Sequence, residues 1–87
     1  MQQEIDIARI LRKVRDLYGY TLEGVADGLG KSTEGYRKYE AGQTDPTFKT
    51  LQQLARFYRI TVVQLIAFDE ESMIQIMVKN RTQQKNK

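Results

Sequence analysis

Eighty-seven residues without cysteine make one small domain, too short for a second domain or a deep substrate cleft, and exclude a disulfide framework or a thiolate metal site. The formal charge of +3 is unevenly spread: residues 1–71 hold ten Lys/Arg against all eleven Asp/Glu, while Lys79, Arg81, Lys85 and Lys87 put four positive charges in the last sixteen. A body near neutrality is a weak footprint for nucleic-acid binding, so composition alone leaves that function open.

The N-terminal stretch MQQEIDIARI carries acids and a broken apolar run. Neither a secretory leader nor a membrane span is expected, and together with the missing cysteines this points to a cytoplasmic protein. Ile7, Leu11, Val14 and Tyr18 recur at helical spacing with Arg9, Arg12, Lys13 and Asp16 between them, which predicts an amphipathic helix over 4–18, stopped at Gly19. Thr21 offers an N-cap for a second, two-turn helix with Val25, Ala26 and Leu29 on its apolar side, ended at Gly30. Ser32 caps a third helix, 33–41, with Tyr36 and Tyr39 inward and Gly42 beyond its end. After QTDP, Pro46 and Thr47 open a fourth helix with a buried stripe of Phe48, Leu51, Leu54, Ala55 and Tyr58, and Thr61 caps a fifth with Val62, Leu65 and Ile66. Residues 72–78, SMIQIMV, fit either a strand or one more helix, and KNRTQQKNK, lacking any apolar residue, is expected to be disordered. The expected architecture is a compact all-α domain of five helices over 1–69 with a short C-terminal extension, 70–87.

Two short helices that cross steeply through a glycine turn need a small residue where they meet. Ala26 is that residue, Gly30 suits the left-handed turn, and Tyr36 anchors the next helix in the core, so residues 21–41 read as a helix-turn-helix. Ser32 leaves the N–H groups of the third helix's first turn near a phosphate position, and Thr33, Glu34, Arg37 and Lys38 point away from the tyrosine face. Three glycines, Gly24, Gly28 and Gly35, fall inside helices at about 0.8–1 kcal/mol each relative to Ala. They imply support from tertiary packing or a close approach by a partner.

From Ile7 to Ile66 the chain resembles the Cro-like phage-repressor helix-turn-helix family, the lambda-repressor-like, XRE-type transcriptional regulators. The likeness rests on Val14-Arg15, Gly19, Thr21, Glu23, Val25-Ala26, Leu29-Gly30-Lys31-Ser32, Tyr39-Glu40-Ala41-Gly42, and Pro46 with Leu51. It implies a repressor that inserts its third helix in the major groove of double-stranded DNA, usually as a homodimer. By the same resemblance Thr33, Glu34 and Lys38 occupy base-reading positions, with Arg37 on bases or backbone: threonine suits a thymine methyl, glutamate cytosine N4, lysine guanine O6 or N7. Phosphate contacts fall on Thr21, Leu22, Gln43, Thr44, Thr47 and Lys49, with Leu22 standing where relatives carry a phosphate-holding glutamine. Arg15 and Glu40 are expected to pair.

Ile10 and Leu17 form a second apolar stripe on the first helix. Residues 73–78, with Ile74, Ile76 and Val78, are expected to cover it, either across a twofold dimer or folded back on the same chain. No cofactor, metal or small-molecule ligand is inferred, and the absence of histidine, cysteine and a phosphate loop speaks against an enzyme. The competing function is a protein-interaction module on the same fold, an antitoxin or anti-repressor partner that works through 72–78, Ile10 and Leu17.

Overall fold

A computed structural model describes residues 5–85, with side chains as far as Asn80. The described residues form six helices and no strand: α1 (Ile7–Tyr18), α2 (Leu22–Gly28), α3 (Thr33–Glu40), α4 (Phe48–Tyr58), α5 (Val62–Ile66) and α6 (Glu70–Lys85). Each of the first five opens on a side-chain cap. Asp6, Thr21, Ser32, Thr47 and Thr61 accept from the N–H groups of Arg9, Gly24, Gly35, Thr50 and Gln64, which satisfies donors that a helix start leaves open. Thr61 and Gln64 complete a reciprocal capping box.

The core joins Leu11 and Val14 of α1, Val25 and Ala26 of α2, Tyr36 of α3, Leu54, Ala55 and Tyr58 of α4, Leu65 of α5 and Met73 of α6. α2 and α1 both pack on α3, and α5 packs on α4 and α1. The turn between α2 and α3 is closed by the Lys31 N–H on the Ala26 carbonyl at 2.9 Å, with Gly30 at φ 70°, a conformation that a side chain would resist. Gly28 has a different reason to be glycine. A Cβ there would stand 2.3 Å from the Phe57 ring, so the close approach is to α4 of the same chain.

The structure corrects the sequence expectations in several places. α1 begins at Ile7 behind the Asp6 cap, and α3 ends one residue short of Ala41. Phe48 is 63% exposed in the first position of α4, at the edge of the buried stripe, and Thr50 takes the inner place. Residues 72–78 are helical, and α6 continues to Lys85, past the point where a disordered tail was expected. Ile10, assigned to a surface stripe, is 7% exposed and belongs to the core. α6 folds back on its own chain: Met73 is buried, 4.0 Å from the Tyr18 hydroxyl, and the Asn80 amide donates to the Arg59 carbonyl at 3.3 Å.

Candidate nucleic-acid interface

α3 is fixed to the body by polar as well as apolar contacts. Arg15 grips the Glu40 carboxylate with two nitrogens, Nε to Oε2 at 2.8 Å and Nη2 to Oε1 at 3.1 Å, and its Nη1 donates to the Tyr20 carbonyl at 3.0 Å. The Glu40 side chain is 6% exposed and Arg15 19%, so much of the pair is out of water. The hydrogen bond that Arg15 donates to Glu40 pushes the pKa of its guanidinium above the ordinary value, against the opposing effect of burial. Arg12 Nη1 also donates to the backbone carbonyl of Glu40 and so caps the C-terminal end of α3. That role was missed from the sequence, although Arg12 and Arg15 share a helix face at i, i+3. Beside this cluster the hydroxyls of Tyr36 and Tyr58 are buried. Burial raises both well above the usual tyrosine value, and the Glu40 charge adds to it.

The other side of α3 faces solvent. Glu34, Arg37 and Lys38 are exposed and Thr33 is half-buried at the helix start. Arg37 Nε stands 3.4 Å from Glu34 Oε1, both side chains well exposed. Lys31 places its ammonium 5.7 Å from the centre of the Tyr39 ring, which keeps its stem on the body and its charge beside α3.

The residues assigned to phosphates flank α3. Thr21, Ser32 and Thr47 each commit an oxygen lone pair to a helix cap; the Thr21 and Ser32 hydroxyls still have a proton to give, while the Thr47 hydroxyl also shares a 3.1 Å hydrogen bond with the Thr50 hydroxyl. Leu22 turns its side chain to the core and leaves only the backbone of α2's first turn outside. Gln43 and Thr44 are exposed, but their N–H groups are tied to the Lys38 carbonyl at 3.0 and 3.3 Å, so only their side chains are free. Lys49 is exposed beyond them. Glu23 and Asp27 line a shallow cleft between α2 and the start of α3, together with Lys31, Ser32 and Thr33, so this face carries both signs of charge. Among the described residues no cluster of acids suits a metal ion, and no helix is long and apolar enough to cross a membrane.

Of the residues assigned to a dimer contact, Leu17 and Ile76 are half-buried against the core, and Ile74 and Val78 are exposed, 44% and 59%.

A helix-turn-helix family model matches residues 11–65. The transcriptional repressor RstR of the cryptic phage CTXphi from Vibrio cholerae is 36% identical over 73 residues, 84% of this chain and 62% of that protein. The SPbeta prophage-derived HTH-type transcriptional regulator YonR of Bacillus subtilis strain 168, itself uncharacterised, is 39% identical over 51 residues, 59% of this chain and 47% of that protein. The chain thus spans roughly half to three-fifths of the length of these relatives. No solved structure matches it.

Proposed function

The chain belongs to the helix-turn-helix family, and from that premise we propose that it is a sequence-specific DNA-binding transcriptional regulator, acting as a repressor, with α3 entering the major groove. The observation that carries this reading is the two-sidedness of α3. Its inner side, Tyr36 and Glu40, is locked to α1, and its outer side presents Glu34, Arg37 and Lys38. A helix so anchored meets base edges without bending away. Thr33, Arg37 and Lys38 then face bases, while Thr21, Ser32, Gln43, Thr44, Thr47, Lys49 and the backbone at Leu22 hold phosphates on either side. The repressor role is supported by the name of the Vibrio cholerae relative. The protein would work in the cytoplasm and needs no cofactor or catalytic step for this.

Two chains related by a twofold axis would set two copies of α3 about 34 Å apart, one turn of DNA. Ile74 and Val78, one helical turn apart on α6, line a groove with Leu17 and supply apolar surface for such a pair, whereas Ile76 lies on the opposite side of α6. Ile10 takes no part, because the core already covers it.

A gel-shift titration of the full chain against genomic fragments, at low and moderate salt, tests the reading. Retained sequence preference is expected. Lys38→Ala and Thr33→Ala should shift preference at individual positions by about 1–3 kcal/mol, and Lys49→Ala should weaken all sequences alike. A chain that binds no fragment selectively at either salt concentration would favour a protein-interaction module instead. Sedimentation at high micromolar concentration tests the dimer, which a strictly monomeric full chain would sink.

A further inference from the structure

We propose that Glu34 reads no base itself but holds Arg37 in the orientation in which Arg37 reads a guanine, so that the two residues form one recognition unit; this rests on the DNA-binding function proposed above and assigns part of its specificity. Among the described residues there are two Arg–Glu pairs, and both meet the carboxylate through Nε, but they differ in what the terminal nitrogens do. In the core pair, Arg15 spends all three: Nε and Nη2 on Glu40, and Nη1 on the Tyr20 carbonyl. On α3, Arg37 meets Glu34 through Nε at 3.4 Å, and neither terminal nitrogen makes a hydrogen bond among the described residues. A guanidinium held at Nε presents Nη1 and Nη2 as an open fork, the edge that matches O6 and N7 of guanine.

Three further observations favour a holding role. The i, i+3 spacing puts Glu34 and Arg37 on one face of the helix, and the Ser32 cap fixes the turn that carries Glu34. Glu34 sits in the first turn, where the helix dipole accepts a carboxylate. To accept from cytosine N4, Glu34 would have to leave Arg37 and stand as a lone anion among phosphates. At 3.4 Å the contact is an ion pair in water and weak there. Displacing water from the groove strengthens it at the moment when Arg37 needs a fixed direction.

Randomised-site selection with the full chain tests this, using wild type, Arg37→Ala, Glu34→Ala, Glu34→Gln and the Glu34→Ala, Arg37→Ala double variant. Arg37→Ala should remove a guanine preference at one operator position by about tenfold or more. Glu34→Ala should weaken the preference for that same guanine, and the double variant should be no worse there than Arg37→Ala. Glu34→Gln, whose amide oxygen can accept from Nε, should retain part of the preference. All variants should melt with wild type, since both side chains are exposed. Loss of a cytosine preference in Glu34→Ala at a position that Arg37→Ala leaves intact would overturn the assignment, as would a uniform gain in affinity with preferences unchanged. A wild-type chain that selects no sequence would defeat the DNA-binding function itself, an outcome distinct from both.

Discussion

Replacing Arg15 by Met removes both contacts to Glu40 and leaves a carboxylate, 6% exposed, with no counter-ion. Charge-assisted hydrogen bonds contribute about 1.5–3 kcal/mol, which sets the lower range of the loss. Removing one partner of a buried pair costs about 3–5 kcal/mol, and the partial exposure of Arg15 moves this pair toward the lower end. The expected deficit of Arg15→Met is therefore about 2–4 kcal/mol. Paired with Glu40→Leu, Arg15→Met should return to within about 1 kcal/mol of wild type, because no buried charge remains. Urea unfolding followed by circular dichroism compares wild type, the single variant and the double variant. A single variant within about 0.5 kcal/mol of wild type, a difference ordinary for surface sites, would refute the reasoning.

Gly28→Ala should destabilise by about 1–3 kcal/mol, as overpacking does, because its Cβ would collide with the Phe57 ring, and a compensating Phe57→Leu should recover most of the loss in the same urea assay. Arg59 is a non-glycine residue at φ 62°, so Arg59→Gly should raise stability by about 0.5–1 kcal/mol, and a thermal melt that moves down instead would mean the left-handed turn carries no strain. Met73→Ala should cost about 2–5 kcal/mol if α6 is seated in the core as its burial indicates. A cost near zero in the urea assay would detach α6 from the fold.

The helix-turn-helix was legible because its requirements are local. A steep crossing demands a small residue and a tight turn demands glycine, and Ala26, Gly30 and Tyr36 meet those demands wherever the rest of the chain lies. The caps were legible for the same reason, since Thr21, Ser32, Thr47 and Thr61 act within three residues. Ile10 was misplaced because α1 is wedged against both α3 and α5, and a helix with two neighbours buries a wider arc than one stripe suggests. Phe48 was misplaced because period alone ignores that a helix's first residue precedes the core it leads into. α6 defeated the periodicity because seven residues cannot separate strand from helix, and its polar continuation has good helix formers but no apolar side to announce them. On the candidate interface, the Arg12 contact crosses from α1 to the end of α3, which no spacing rule within one helix contains, whereas the Glu34–Arg37 pair follows the i, i+3 rule and was legible but passed over.

The loop after α3 is tied back by backbone bonds, Gln43 and Thr44 N–H to the Lys38 carbonyl, and the exposed side chains of Glu34, Arg37, Lys38, Gln43 and Thr44 bear none of the fold's weight. Scaffold and message are thus written in different atoms. A population of such chains could drift among targets by exchanging those five side chains while keeping its stability, because the backbone that positions them never consults their identity. A library randomised at these five positions should therefore remain folded almost throughout, with its members differing in what they bind rather than in whether they survive.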